Sequence, residues 1–159
     1  MKKELLKGLT MFVLVTVFAL ATAVLSASAQ SANRVVATIP FEFSVGYKPM
    51  PAGEYSVQPV TAGSSGLMIR SADGKRAAIR LTDETGRAKK NNTQARLVFH
   101  RYGERYFLAE VWNGFDNTGR HLLKSKEESA IERELASIPS TNDSAKNTYE
   151  TVEILAVLR

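Results

Sequence analysis

The stretch ARLVFHRYGERYFLAEVW, residues 95–112, decides the fold. Apolar side chains recur at every second position on both sides of Tyr102-Gly103-Glu104-Arg105, which is the period of a strand. If Gly103 and Glu104 form a two-residue turn, glycine takes the first central position that this turn type demands, and His100 faces Phe107 across the ladder. One face then carries Leu97, Phe99, Tyr106, Leu108 and Trp112, and the other carries Val98, Tyr102, Phe107, Ala109 and Val111. Apolar residues on both faces mark central strands of a sandwich or a closing barrel, so this hairpin is expected to be the best-buried part of the domain.

Upstream, Val35, Ala37, Ile39, Phe41, Phe43 and Val45 alternate with polar residues such as Thr38, Glu42 and Ser44, as in a half-buried strand. Pro40 lacks the N–H a ladder needs, so this strand is expected at a sheet edge or broken by a bulge. Lys48-Pro49-Met50-Pro51-Ala52-Gly53 supplies turn chemistry before a second strand in which Tyr55 and Val57 alternate with Glu54, Ser56 and Gln58. After the break at Gly63-Ser64-Ser65-Gly66, the chain from Leu67 to Leu81 folds back around Ala72-Asp73-Gly74. A two-residue Asp73-Gly74 loop would put Leu67, Ile69, Arg76 and Arg80 on one face. A three-residue loop with a bulge at left-handed Gly74 instead gathers Leu67, Ile69, Ala77, Ile79 and Leu81 on one face, and Arg70, Arg76 and Arg80 on the other. The second register sorts apolar from charged residues and is the expectation.

Downstream, Asn113 to Gly119 reads as a loop, and Ser125-Lys126-Glu127-Glu128 has capping-box spacing. Leu123, Ile131, Leu135 and Ile138 share one stripe of the helix that follows, which Pro139 ends. Residues 139–147 are polar and expected to be mobile. From Tyr149 to Leu158 the even positions Val152, Ile154, Ala156 and Leu158 alternate with Thr151, Glu153, Leu155 and Val157, a buried or nearly buried strand returning to the sheet. The fold class is therefore mainly β: an antiparallel β-sandwich or partly closed β-barrel of about seven strands, with one α-helix near the C-terminal end.

Residues 1–29 have the pattern of an export signal: Lys2, Lys3 and Lys7, an apolar run from Met11 to Leu25, then Ala27-Ser28-Ala29. Cleavage is expected before Gln30, leaving residues 30–159 as one β-rich domain, with no retained transmembrane helix. The signal takes three lysines and one glutamate with it, so the remainder has eighteen basic and fifteen acidic residues, a formal charge of +3. Such a small excess, in an exported chain, points away from nucleic acid. With no cysteine there is no disulfide framework, thiolate metal site, iron–sulfur cluster or cysteine nucleophile, so burial alone must hold the domain together.

The stretches Ile39-Pro40-Phe41-Glu42-Phe43 with Val45-Gly46, Pro51-Ala52-Gly53-Glu54-Tyr55-Ser56-Val57, Ile69 to Gly74, and Leu97 to Trp112 resemble a family of small exported bacterial proteins. The resemblance spans roughly Val35 to Leu135. It implies export and a β-rich domain, and carries no activity, cofactor or catalytic residue.

No convergent catalytic set is read from the residues. His100 and His121 lack further ligands at metal-binding spacing, and no Gly-x-Ser-x-Gly elbow is present. Glu104 and Glu110 are too far apart along one strand for glycosidic chemistry. Tyr102, Tyr106 and Trp112 are expected to serve packing rather than sugar stacking. The candidate ligand-binding residues are Arg70, Arg76 and Arg80, whose guanidinium groups on one sheet face could recognise carboxylate or phosphate. The expected role is a non-catalytic binding or structural module of the periplasm, the cell envelope or the medium, without cofactor. Its partner is unassigned, an envelope polysaccharide, lipid or protein being the candidates. The alternative is a carrier of small apolar ligands with an internal cavity, and the third reading an envelope hydrolase. Mass spectrometry of the protein recovered from cells should give a mature chain starting at Gln30; intact Met1 would overturn the processing expectation.

Overall fold

The computed structural model describes residues 34–61, 63–85, 94–115, 119–137 and 149–159, which form eleven strands and one helix. The export signal expected at 1–29 and the mobile tract expected at 139–147 lie outside the described residues. Pro40 splits the first alternating segment into β1 (Val35–Ile39) and β2 (Phe43–Val45). The Lys48–Met50 stretch, expected as a turn, is itself a strand, β3, paired back onto β2 around Gly46 at φ 68°. Then come β4 (Gly53–Pro59), β5 (Gly66–Ser71) and β6 (Ala77–Thr85). The deciding hairpin forms β7 (Arg96–Tyr102) and β8 (Arg105–Trp112), followed by β9 (Gly119–Leu122), helix α1 (Lys126–Ala136), β10 (Glu150–Leu155) and β11 (Val157–Leu158). Eleven short strands stand where about seven were expected, because Pro40 and Ala156 each interrupt a long one while 48–50 and 119–122 add two.

Hydrogen bonding runs in the order β10-β7-β8-β9-β6-β5-β4-β1-β11, with antiparallel neighbours throughout. Among the described residues the one parallel pairing is off this path, where β2 meets β8 at Ser44 and Phe107. β11, β1, β4 and β5 build a first layer, and β9, β8, β7 and β10 a second. β6 belongs to both: residues 77–81 pair with β5, residues 82–85 with β9. The C-terminal segment does the same on the opposite side. β10 pairs with β7 and β11 with β1, and the Ala156 N–H between them donates to Ala95 O at 2.9 Å. The result is a sandwich whose two sides are each crossed by a strand that changes layers, which is how corners form in such folds.

Between the layers, Phe43, Tyr55 and Phe99 pack edge to face, with Phe43–Tyr55 and Phe43–Phe99 centroids 5.0 and 5.4 Å apart. All three are 2 % exposed or less. The Tyr55 hydroxyl avoids a buried orphan by donating to Pro51 O at 2.7 Å. Truncating such an aromatic costs about 3–5 kcal/mol, a large share of a domain's stability.

The deciding hairpin has the expected turn and register as far as Phe99↔Leu108, with His100 opposite Phe107. A bulge between Val98 and Phe99 then shifts the pairing to Val98↔Glu110, Leu97↔Val111 and Arg96↔Trp112. One extra residue reverses every later side chain of β8. Val111 therefore joins the core, and Trp112 turns to the outer face of the second layer. There its indole N–H donates to Glu110 Oε2 at 2.8 Å, and the Arg96 guanidinium stacks 4.4 Å above its ring.

The Leu67–Leu81 hairpin takes the register that sequence reasoning set aside. Leu67 pairs with Arg80 and Ile69 with Ala78, which is the facing of the two-residue alternative, although a four-residue turn, 72–75, makes the connection. Polar chemistry fixes that turn. The Ser71 hydroxyl donates to Asp73, whose carboxylate accepts the Lys75 N–H at 3.1 Å, and Ser71 Oγ accepts the Arg76 N–H at 3.0 Å. These bonds also hold the Asp73 carboxyl below its ordinary pKa, the Ser71 hydroxyl contributing most. Ile79 and Leu81 consequently face out, 61 and 63 % exposed, as do Leu155 and Val157 of the C-terminal segment.

Trp112 lies directly opposite Gly119, and a Cβ built on that glycine would sit 2.6 Å from the indole ring. Gly119→Ala should therefore destabilise by about 1–3 kcal/mol through overpacking. The check is a urea transition with a lowered midpoint and an unchanged slope.

Candidate functional site

At the end of the sandwich where β1 begins and β4 ends, the layers leave a cleft of about 340 Å³. Its floor is apolar, made by the inward-facing Val35, Val57 and Leu67 of the first layer and Val111 of the second. Its polar lining comes from Gln58, Glu84, Asn113 and Arg120. Glu84 and Arg120 are direct cross-strand partners on β6 and β9, so the mouth carries opposite charges side by side. The Arg120 guanidinium is anchored by Ser64 O at 2.6 Å. Phe115, 81 % exposed, also lines the cleft from the loop after β8; Asn113 Oδ1 accepts its backbone N–H at 3.0 Å. An apolar floor with a few polar groups at the mouth can desolvate a hydrocarbon body while orienting a polar end.

A second polar constellation lies beneath α1 on the outer face of the second layer. Ser125 caps the helix by accepting the Glu128 N–H at 3.0 Å, the expected half of the capping box. The Glu128 carboxylate does something the spacing did not indicate: it turns under the helix to His100 Nδ1 at 2.9 Å. Both side chains are buried, and Tyr149 stacks on the His100 ring with centroids 3.9 Å apart. Tyr102 OH stands 3.5 Å from the same carboxylate. Burial raises the Tyr102 phenol well above its ordinary pKa, and the negative charges of Glu128 and Glu132 raise it further. An ion pair between Arg105 and Glu127 adds a second tie between α1 and the sheet. This cluster docks the helix. His121 sits on β9, opposite Asp83 and Glu110, its ring 6.5 Å from that of His100. Among the described residues no three histidine, aspartate or glutamate side chains converge as a metal site requires. No described helix is long and apolar enough to cross a membrane.

The register corrects the expected arginine stripe. Arg70 points outward from β5, whereas Arg76, opposite Ser71, and Arg80, opposite Leu67, have the inward parity. Arg80 serves the fold: Nη2 donates to Leu123 O at 2.9 Å, and its guanidinium fills the space beside Gly46, where a Cβ would meet it at 2.8 Å. β6 can carry such a residue inward because it lies at a corner, where its neighbours include backbone carbonyls; Thr82, also inward, donates to Ser65 O at 2.7 Å. Glu104 at the turn tip and Glu110 beside Trp112 stay apart as expected.

Sequence reasoning missed the cleft. Val35, Val57 and Leu67 of its floor lie on the faces expected to be apolar, but Val111 joins them only through the bulge, and Glu84 and Arg120 meet only once β6 and β9 are paired. The one local signal was Phe115, an aromatic within a polar loop. No protein-family model matches the chain, and comparison with curated proteins and with solved structures finds no match.

Because the fold raises the Tyr102 phenol, the unfolded chain loses that proton first as pH rises past about 10, and stability falls from there upward. Tyr55, raised mainly by burial, acts in the same direction. Urea midpoints measured from about pH 8 to about pH 11 should decline, less steeply in Tyr102→Phe. An identical decline in that variant would dismiss the role given to Tyr102.

Proposed function

We propose that the protein is an exported, non-catalytic binding module of the cell envelope or its surroundings, and that its cargo is a small, largely apolar molecule held in the end cleft. The observation that supports this reading is the cleft itself: about 340 Å³ between the layers, floored by Val35, Val57, Leu67 and Val111. Small-molecule sites span roughly 300–1,000 Å³, so the space suits a compact ligand with one polar end. The carrier form is favoured over a purely structural module because the aromatic packing of Phe43, Tyr55 and Phe99 does not continue into this end. A hydrolase would need a carboxylate and a histidine together in the cleft, and neither His100 nor His121 lines it.

Arg120 and Glu84 would orient the polar end, and Phe115 would close over the apolar body. The test is a fluorescence titration with N-phenyl-1-naphthylamine, a neutral apolar dye. Saturable binding to the folded protein is expected. Phe115→Ala should weaken it about tenfold, ~1.4 kcal/mol, through lost apolar contact. Val111→Phe, which fills the floor, should abolish it, each variant's urea midpoint confirming folding. Absence of saturable binding, or a Val111→Phe protein that binds as before, would overturn the assignment.

A further inference from the structure

On the outer face of the first layer, β1, β4, β5 and the chain beside β11 form an open groove of about 360 Å³. Three arginines line it, Arg34, Arg70 and Arg159, with Glu54 as its single acidic side chain. They come from positions far apart in sequence, and only the sheet brings them together. Arg34 and Arg159 exchange both backbone hydrogen bonds, at 3.1 and 2.8 Å, so they are directly opposite one another. Like charges in that position destabilise a sheet. Among the described residues none of the three guanidinium groups forms an ion pair; Arg34 Nε donates instead to the neutral Gln58 Oε1 at 3.2 Å.

The register fixes the spacing of the charges. Val36, Ser56 and Arg70 lie in one transverse row, and Arg34 is two residues from Val36 on the same face. Arg34 and Arg159 therefore mark one end of the groove. Arg70 marks the other, two strands away and two residues along, about 10 Å across the strands and ~7 Å along them at the usual strand spacings. Its guanidinium is kept there by lying over the turn, 3.0 Å from where a Cβ on Gly74 would be, and Gly74, at φ 71°, has none. Between the two ends, Ser56 and Gln58 offer hydrogen-bonding groups.

We propose that this groove binds a linear polyanion, whose carboxylate or phosphate groups engage Arg34 with Arg159 at one end and Arg70 at the other. Each guanidinium keeps several N–H donors free for an oxyanion, and an anion seated between Arg34 and Arg159 removes their repulsion. The groove shares Gln58 with the lining of the end cleft and is otherwise distinct from it. Its ligand lies across the strands on the outside of the first layer, while the cleft opens between the layers.

Calorimetric titration of the purified protein with a short oligogalacturonate and with short-chain polyphosphate separates carboxylate from phosphate recognition. Saturable binding of either, weakening as salt is added, is expected, with a neutral maltooligosaccharide giving none. Arg34→Ala and Arg70→Ala should each weaken it about tenfold. Arg76→Ala removes the same charge from outside the groove and should change affinity less than about twofold. Val111→Phe, which fills the cleft, should leave polyanion binding intact. Failure of both polyanions to bind, or an Arg76→Ala loss equal to the other two, would overturn the proposal by showing no site or only diffuse attraction to a basic protein.

Discussion

The edge-to-face contact of Phe43 with Tyr55 and Phe99 is the interaction on which the rest of the molecule depends. Tyr55 belongs to the first layer, Phe99 to the second, and Phe43 to the short strand beside β8. Without disulfides to brace it, a domain of this size holds its layers together by removing such rings from water. Once they are in register, β6 and the C-terminal segment can each run from one layer into the other. Their corners then fix where the interior closes and where it does not.

The proposed function rests on those corners. At the end near Gly46 the space is taken by Arg80, whose guanidinium reaches the Leu123 carbonyl. At the other end β6 and β9 bring Glu84 and Arg120 together above valine and leucine side chains, and a cleft remains. The same sheet lines up Arg34, Arg159 and Arg70 on its outer surface. Two recesses thus arise from one geometry, an apolar one between the layers and a charged groove across one of them. The helix contributes to neither. It covers the second layer, held by the buried pair of His100 with Glu128.

Polar groups decided the places where hydrophobic alternation misled. In the 72–75 turn, the Ser71 hydroxyl and the Asp73 carboxylate satisfy backbone N–H groups in the register that leaves Ile79 and Leu81 exposed. In β8 a single bulge exchanged the positions of Val111 and Trp112. The indole gained a hydrogen bond to Glu110, a guanidinium above it and a glycine opposite that leaves room for it.

Period-two alternation, proline and glycine placement and the capping sequence are local properties, so the amino-acid order by itself determined the β-rich class, the Gly103 turn, the break at Pro40 and the helix after Ser125. The inner faces of β1, β4 and β5 were legible for the same reason, since each side chain's direction follows from its neighbours along one strand. Which strand lies beside which is a matter of long-range pairing. The tertiary structure alone decided the bulge, the layer changes of β6 and the C-terminal segment, the meeting of Glu84 with Arg120, and the gathering of Arg34, Arg70 and Arg159. Those outcomes depend on hydrogen bonds and packing between residues tens of positions apart, and no one-dimensional period encodes them.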